Sequence, residues 1–201
     1  MTLLKLNRKL ALLLYVLLCT INTSFAVTPS TCFDNTPGNM TNRFTDLGDG
    51  TVLDTLTDLI WQRCNLSQTW STTTESCLSF TKTRNWRDSL LAIQNYNANQ
   101  FALGLPDSWR MPNIKELSSI MDINCTNYAL DVEIFPSPEA VYWSSTPIVS
   151  DVYENKNVVG DGVQDENYIW VIKTETGKEL LDIPVSNDSI STLLVRNPTT
   201  P

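Results

Sequence analysis

The chain of 201 residues contains no histidine. That absence removes the side chain most often used as a general base and the commonest nitrogen ligand for zinc. Ser144 and Ser145 stand without a base and outside a G-x-S-x-G frame, so neither reads as a nucleophile. The cysteines form no C-x-x-C pair, which leaves no zinc-ligand spacing. Basic residues are scarce as well: 14 Lys and Arg face 22 Asp and Glu, a formal charge of −8. Nucleic acid and anionic membrane surfaces both demand clustered cations, so neither is an expected partner. Beyond the N-terminus no apolar run approaches the ~20 residues of a membrane-spanning helix, so no transmembrane segment is expected. No internal repeat or low-complexity tract is present.

The one long apolar stretch lies at the start. Lys5, Arg8 and Lys9 precede a run from Leu10 to Leu18, and Ser24-Phe25-Ala26 places small residues at a cleavage position. These are the three parts of a secretory signal over residues 1–26. The expected product is exported to the periplasm, cell surface or medium, and residues 27–201 form a single domain large enough to bury a core. Cleavage removes three basic residues and no acidic ones, moving the formal charge from −8 to −11. Cys19 suggests a lipoprotein anchor, but Leu18 stands where a lipobox has a small residue, and Ser24 to Ala26 is the better cut.

Four cysteines follow the signal: Cys32, Cys64, Cys77 and Cys125. An even number in an exported chain reads as a disulfide framework with three possible connectivities. Cys64 and Cys77 enclose a polar loop rich in Thr and Ser, which favours a local bridge and leaves Cys32 to reach Cys125.

Turn and period signals divide the rest. Asp46-Leu47-Gly48-Asp49-Gly50 is a turn between Phe44 and the strand Thr51 to Asp54, and Thr55 to Asp58 is a second turn before Leu59 to Arg63. Asp46, Asp49 and Asp54 lack the spacing of a calcium loop and read as turn residues. A first helix is expected from about Trp86 to Tyr96, capped by Asn85. A second follows Pro112, with Asn113 and Glu116 as a capping box and Ile114, Leu117, Ile120 and Met121 as its apolar stripe. Val141 to Trp143, Tyr168 to Ile172 and Ser191 to Arg196 are aromatic or β-branched and read as strands.

These segments, taken in order, resemble a family of bacterial secreted domains. The residues that carry the likeness are Arg43-Phe44-Thr45-Asp46, Gly48-Asp49-Gly50-Thr51-Val52, Leu59-Ile60-Trp61-Gln62-Arg63-Cys64, Trp86, Trp109-Arg110-Met111-Pro112, Lys115-Glu116-Leu117, Tyr142-Trp143-Ser144-Ser145, Trp170-Val171, Gly177 and Val195-Arg196. The family is that of the C-terminal domain of a collagen-like adhesin, the Lcl C-terminal domain. The resemblance implies an α+β domain of C-type lectin-like fold, with two helices packed on a twisted antiparallel sheet and a long loop region that carries ligand contacts. Asp58 replaces an expected glycine and still tolerates a left-handed backbone. The adhesin's association with sulfated polysaccharides needs a basic surface that this chain lacks. The Glu-Pro-Asn and Trp-Asn-Asp signatures of calcium-dependent sugar-binding lectins are also missing.

The expected function is a secreted or cell-surface, non-enzymatic binding or adhesion domain that recognises a glycan or protein ligand through loops around residues 148–167. That stretch is acidic, has no hydrophobic period, and is long for an irregular connection within one domain. Asp151, Tyr153, Glu154, Asp161, Asp165, Glu166 and Asn167 are the candidate ligand-binding residues. Calcium, which prefers oxygen ligands, is a candidate at Asp151, Asp161 and Asp165, and no other cofactor is expected. The bland alternative is a solvated loop whose charges maintain solubility. Trp109, Trp143 and Trp170 offer aromatic faces for sugars, though core packing is the commoner use, and Arg110 with Glu116 reads as an internal ion pair. Two rival functions remain: a structural or tip subunit of a surface appendage, and an oxidase related to formylglycine-generating enzymes, which depend on reactive cysteines.

Overall fold

A computed structural model describes residues 31–32, 43–106, 108–122, 125–148, 168–182 and 190–198. In chain order its elements are β1 (Thr31–Cys32), β2 (Phe44–Asp46), β3 (Thr51–Asp54), β4 (Leu59–Gln62), β5 (Thr69–Ser71), β6 (Ser76–Leu78), α1 (Trp86–Ala102), α2 (Ile114–Ser119), β7 (Cys125–Thr126), β8 (Val141–Pro147), β9 (Ile169–Lys173), β10 (Lys178–Asp182) and β11 (Val195–Arg196). The combination of helices with antiparallel sheets is the α+β class expected from the sequence.

Turn chemistry builds the first sheet. Between β2 and β3, the Asp46 carboxylate accepts the Gly48 N–H and the Asp49 carboxylate accepts the Thr51 N–H. Gly48 and Gly50 take the positive φ values, 80° and 87°, that this turn requires. The β3–β4 turn places Asp58 at φ 56°, within the left-handed region its short polar side chain tolerates. The sheet order is β11-β4-β3-β2, antiparallel throughout.

The closing strand is shorter than the apolar run suggests. Only Val195–Arg196 joins the β4 ladder. Upstream, the Ser191 C=O accepts from Trp143 in the second sheet, whereas that of Thr192 accepts from Leu66, just past β4, and that of Leu194 from Gln62 of β4 in the first. A segment whose bonds pass from one sheet to the other cannot form a continuous ladder with either.

The second sheet has the order β10-β9-β8. Its two faces extend both cores. Tyr142 and Ile172 join Phe44, Val52, Trp61, Val195 and the α2 residues Ile114 and Leu117 in one cluster. Trp143, Ile169 and Val171 join Ile60, Leu194, Trp109 and the α1 residue Ile93 in the other. Each large apolar side chain enclosed here contributes about 1.5–3 kcal/mol relative to exposure.

Both helices start where their caps predict. Asn85 accepts the Asp88 N–H at 2.8 Å. At α2, Asn113 accepts the Glu116 N–H at 2.9 Å while Glu116 accepts the Asn113 N–H at 2.8 Å, a complete capping box. Helix α1 runs six residues past Tyr96, to Ala102. Its last turns are held by a polar clip in place of an apolar stripe: the Asn97 side chain accepts the Trp109 N–H and donates to the Trp109 C=O. Hydrophobic periodicity carries no trace of such a clip.

The hairpin β5–β6 is stapled to the first sheet by a disulfide between Cys64 and Cys77, Cα to Cα 5.6 Å. Trp70 of this hairpin lies against Gly50 and beneath the Arg63 guanidinium, 4.1 Å from the ring centre. Strands β1 and β7 pair antiparallel with Cys32 opposite Cys125, the pair left over after the local bridge.

Candidate functional site

The candidate ligand residues Asp151, Tyr153, Glu154, Asp161, Asp165, Glu166 and Asn167, and with them the calcium positions, lie outside the described residues. So do residues 1–26, expected to be a secretory signal, and with them Cys19. The frame that holds the two ends of the 149–167 connection is described. The chain leaves β8 at Ile148 and enters β9 after Tyr168, and the Ile148 N–H donates to the Tyr168 C=O at 2.9 Å. One step inward, Pro147 stands opposite Ile169.

Strand β8 is irregular between Trp143 and Pro147. Its missing ladder contacts are supplied by side chains and by the helix starts. The buried Ser144 hydroxyl donates to the Trp170 C=O and accepts the Thr146 N–H, so this serine fills a gap in the sheet and is committed to structure. The Ser145 N–H donates to the Pro112 C=O at 2.8 Å, and the Thr146 hydroxyl accepts the Ile114 N–H at 2.9 Å. On the other side the Trp86 indole N–H donates to the Ser144 C=O, and that of Trp143 to the Arg84 C=O. The neck of the connection is therefore fastened to the first turns of both helices.

Arg110 and Glu116 form a fork-to-fork ion pair, both N–H···O distances 2.7 Å. Burial raises the Glu116 pKa, but the Arg110 hydrogen bonds, the Asn113 N–H and the Arg110 charge outweigh it and hold the carboxyl below its usual value. Bonding with Glu116 raises the Arg110 pKa. With both carboxylate oxygens engaged, the pair orients the turn before α2, as its sequence position suggests.

Trp109 and Trp143 are core residues and offer no sugar-stacking face; Trp170 is partly buried and packs against the first core cluster. Asp46 and Asp49 serve their own turn. Asp54 is wholly buried in the grip of Arg43. Among the described residues, no three His, Cys, Asp or Glu side chains gather as a metal site, and no helix is long and apolar enough to cross a membrane. Three arginine placements escape sequence reading: Arg43 on Asp54, Arg63 over Trp70, and Arg196 over Trp109 at 5.1 Å. Strand alternation places an arginine on a face but does not name its partner across the sheet.

Residues 50–196 match the family model described as the Lcl C-terminal domain. No curated protein and no solved structure matches the chain.

Proposed function

The chain belongs to the Lcl C-terminal domain family, and from that premise we propose an exported, surface-associated binding domain of C-type lectin-like fold that makes and breaks no covalent bonds in its ligand. It recognises a glycan or protein ligand through loops around residues 148–167. The observation that carries this reading is the neck: a hydrogen-bonded antiparallel pair, Ile148 to Tyr168, fixed to the starts of two helices. Connecting segments on rigid frames are where binding function concentrates. The acidic composition of the segment suits a ligand with hydroxyl or cationic groups, and calcium held by Asp151, Asp161 and Asp165 belongs to the same proposal. Engagement of Cys64 with Cys77 supports a non-enzymatic role, because it withdraws two of the thiols an oxidase would need.

A glycan array compares the wild type with a variant carrying Asp151→Asn, Asp161→Asn and Asp165→Asn. The wild type is expected to select a defined set of structures and the variant to lose them. Equal binding by the two, or none by either, counts against the assignment.

A further inference from the structure

We propose that Arg196 is the receptor for a sugar carboxylate, as presented by a hexuronate, at a site built from residues separate from 149–167. Alternation along the first sheet places Gln62, Leu194 and Arg196 on the face covered by α1, whose Tyr96 and Ile93 pack there with Ile60 and Trp109. Arg196 is only 7% exposed, and its guanidinium lies over the Trp109 ring.

Comparison with the other two arginines of this sheet shows what Arg196 lacks. Arg43 spends its Nε and Nη2 edge on both oxygens of Asp54, at 2.7 and 2.6 Å. Arg63 spends the same edge on the C=O groups of Ile134 and Glu133, at 3.0 and 2.8 Å. In Arg196, Nη1 makes a long 3.3 Å bond to the Asn197 C=O, Nε is buried with no acceptor, and Nη2 has no hydrogen bond among the described residues. No carboxylate forms a salt bridge with it among those residues. The free edge has the geometry that takes a planar carboxylate on two parallel N–H···O bonds. Filling it requires the guanidinium to move outward against both the long Asn197 bond and its contact with the Trp109 ring.

Neighbouring groups set the ligand class. The Gln62 amide donates to the Tyr96 hydroxyl at 2.6 Å, and both side chains are partly exposed. Exposed Asp49 is near enough for its charge to act on both Tyr96 and Arg196. Amide, phenol and carboxylate are partners for sugar hydroxyls, and the Asp49 charge opposes anions here, so only one carboxylate, bonded directly to the guanidinium, is accommodated. One carboxylate on a hydroxyl-bearing ring satisfies both conditions.

The test is an NMR titration of the mature protein carrying ¹⁵N-labelled arginine, with sodium galacturonate as the probe and galactose, acetate and inorganic phosphate as controls. Galacturonate is expected to shift one arginine Nε–H resonance saturably. The controls leave it in place, Arg196→Lys weakens binding at least tenfold, and the variant neutralised at Asp151, Asp161 and Asp165 binds as wild type. No saturable shift, an equal response to any control, or unchanged affinity in Arg196→Lys overturns the proposal. Should the lysine variant not fold, Tyr96→Phe replaces it, with at least threefold weaker binding expected and undiminished affinity contradicting the site. Loss of galacturonate binding in the neutralised variant also overturns it, because the site would then depend on the 149–167 segment.

Discussion

Arg43 grips both carboxylate oxygens of the wholly buried Asp54, through Nε at 2.7 Å and Nη2 at 2.6 Å, and so closes the β2–β3 ladder at the register where Phe44 faces Asp54. Thr57 and the Leu56 N–H complete the shell around the carboxylate. Replacing Asp54 by Asn leaves the partly buried Arg43 guanidinium without its counter-charge and is expected to cost about 3 kcal/mol in urea unfolding. A loss under 1 kcal/mol would show that the pair is of little consequence.

The same carboxyl gives an acid limb to stability. Burial pushes the Asp54 pKa up, but the bonds from Arg43, Thr57 and Leu56 and the arginine charge win, and the folded value lies below the unfolded one. Its contribution is therefore fully present above the unfolded value of about 3.9 and disappears as pH falls through the folded value. Melting temperature against pH should show a steeper fall on the acid side for the wild type than for Asp54→Asn.

Gly50 and Gly48 make a controlled pair. Both have positive φ, but a Cβ on Gly50 would stand 2.4 Å from Trp70, whereas one on Gly48 meets open space. Gly48→Ala is expected to cost about 1–2 kcal/mol from backbone strain alone. Gly50→Ala should cost clearly more and displace Trp70, visible as a change in tryptophan fluorescence. Equal penalties would contradict this account of the Trp70 and Arg63 contact.

Oxidation state gives a fourth check. Cys64–Cys77 closes a loop with a sequence separation of 13, and removing it with a double Cys→Ala variant is expected to cost about 3 kcal/mol on the loop-entropy model. Because Cys32 and Cys125 are opposed in the β1–β7 pair, the protein from residue 27 onward is expected to contain no free thiol. Thiol titration under denaturing conditions, finding two reactive groups, would contradict the second bridge.

Local signals made much of the frame legible. Asp and Gly at turns, Asn85 and Asn113 at caps, and the stripe Ile114, Leu117 and Ile120 each act over a few residues, so their positions in the chain suffice. What escaped depends on distant partners. The extension of α1 rests on Asn97 reaching Trp109, the shortened β11 on a segment shared by two sheets, and the β5–β6 hairpin on Trp70 meeting Gly50. The 149–167 segment was legible only as composition, acidic and without period.

The most direct test removes that segment. Ile148 and Tyr168 are hydrogen bonded at 2.9 Å, so a tight Asn-Gly turn of about four residues can bridge the two strands in place of 150–166. Ligands selected on a glycan array or by pull-down with the intact domain are then titrated against both proteins by calorimetry. The account predicts that the shortened domain keeps its melting temperature within a few degrees and loses at least a hundredfold in affinity. A folded, shortened domain that binds as tightly as the intact one would contradict it.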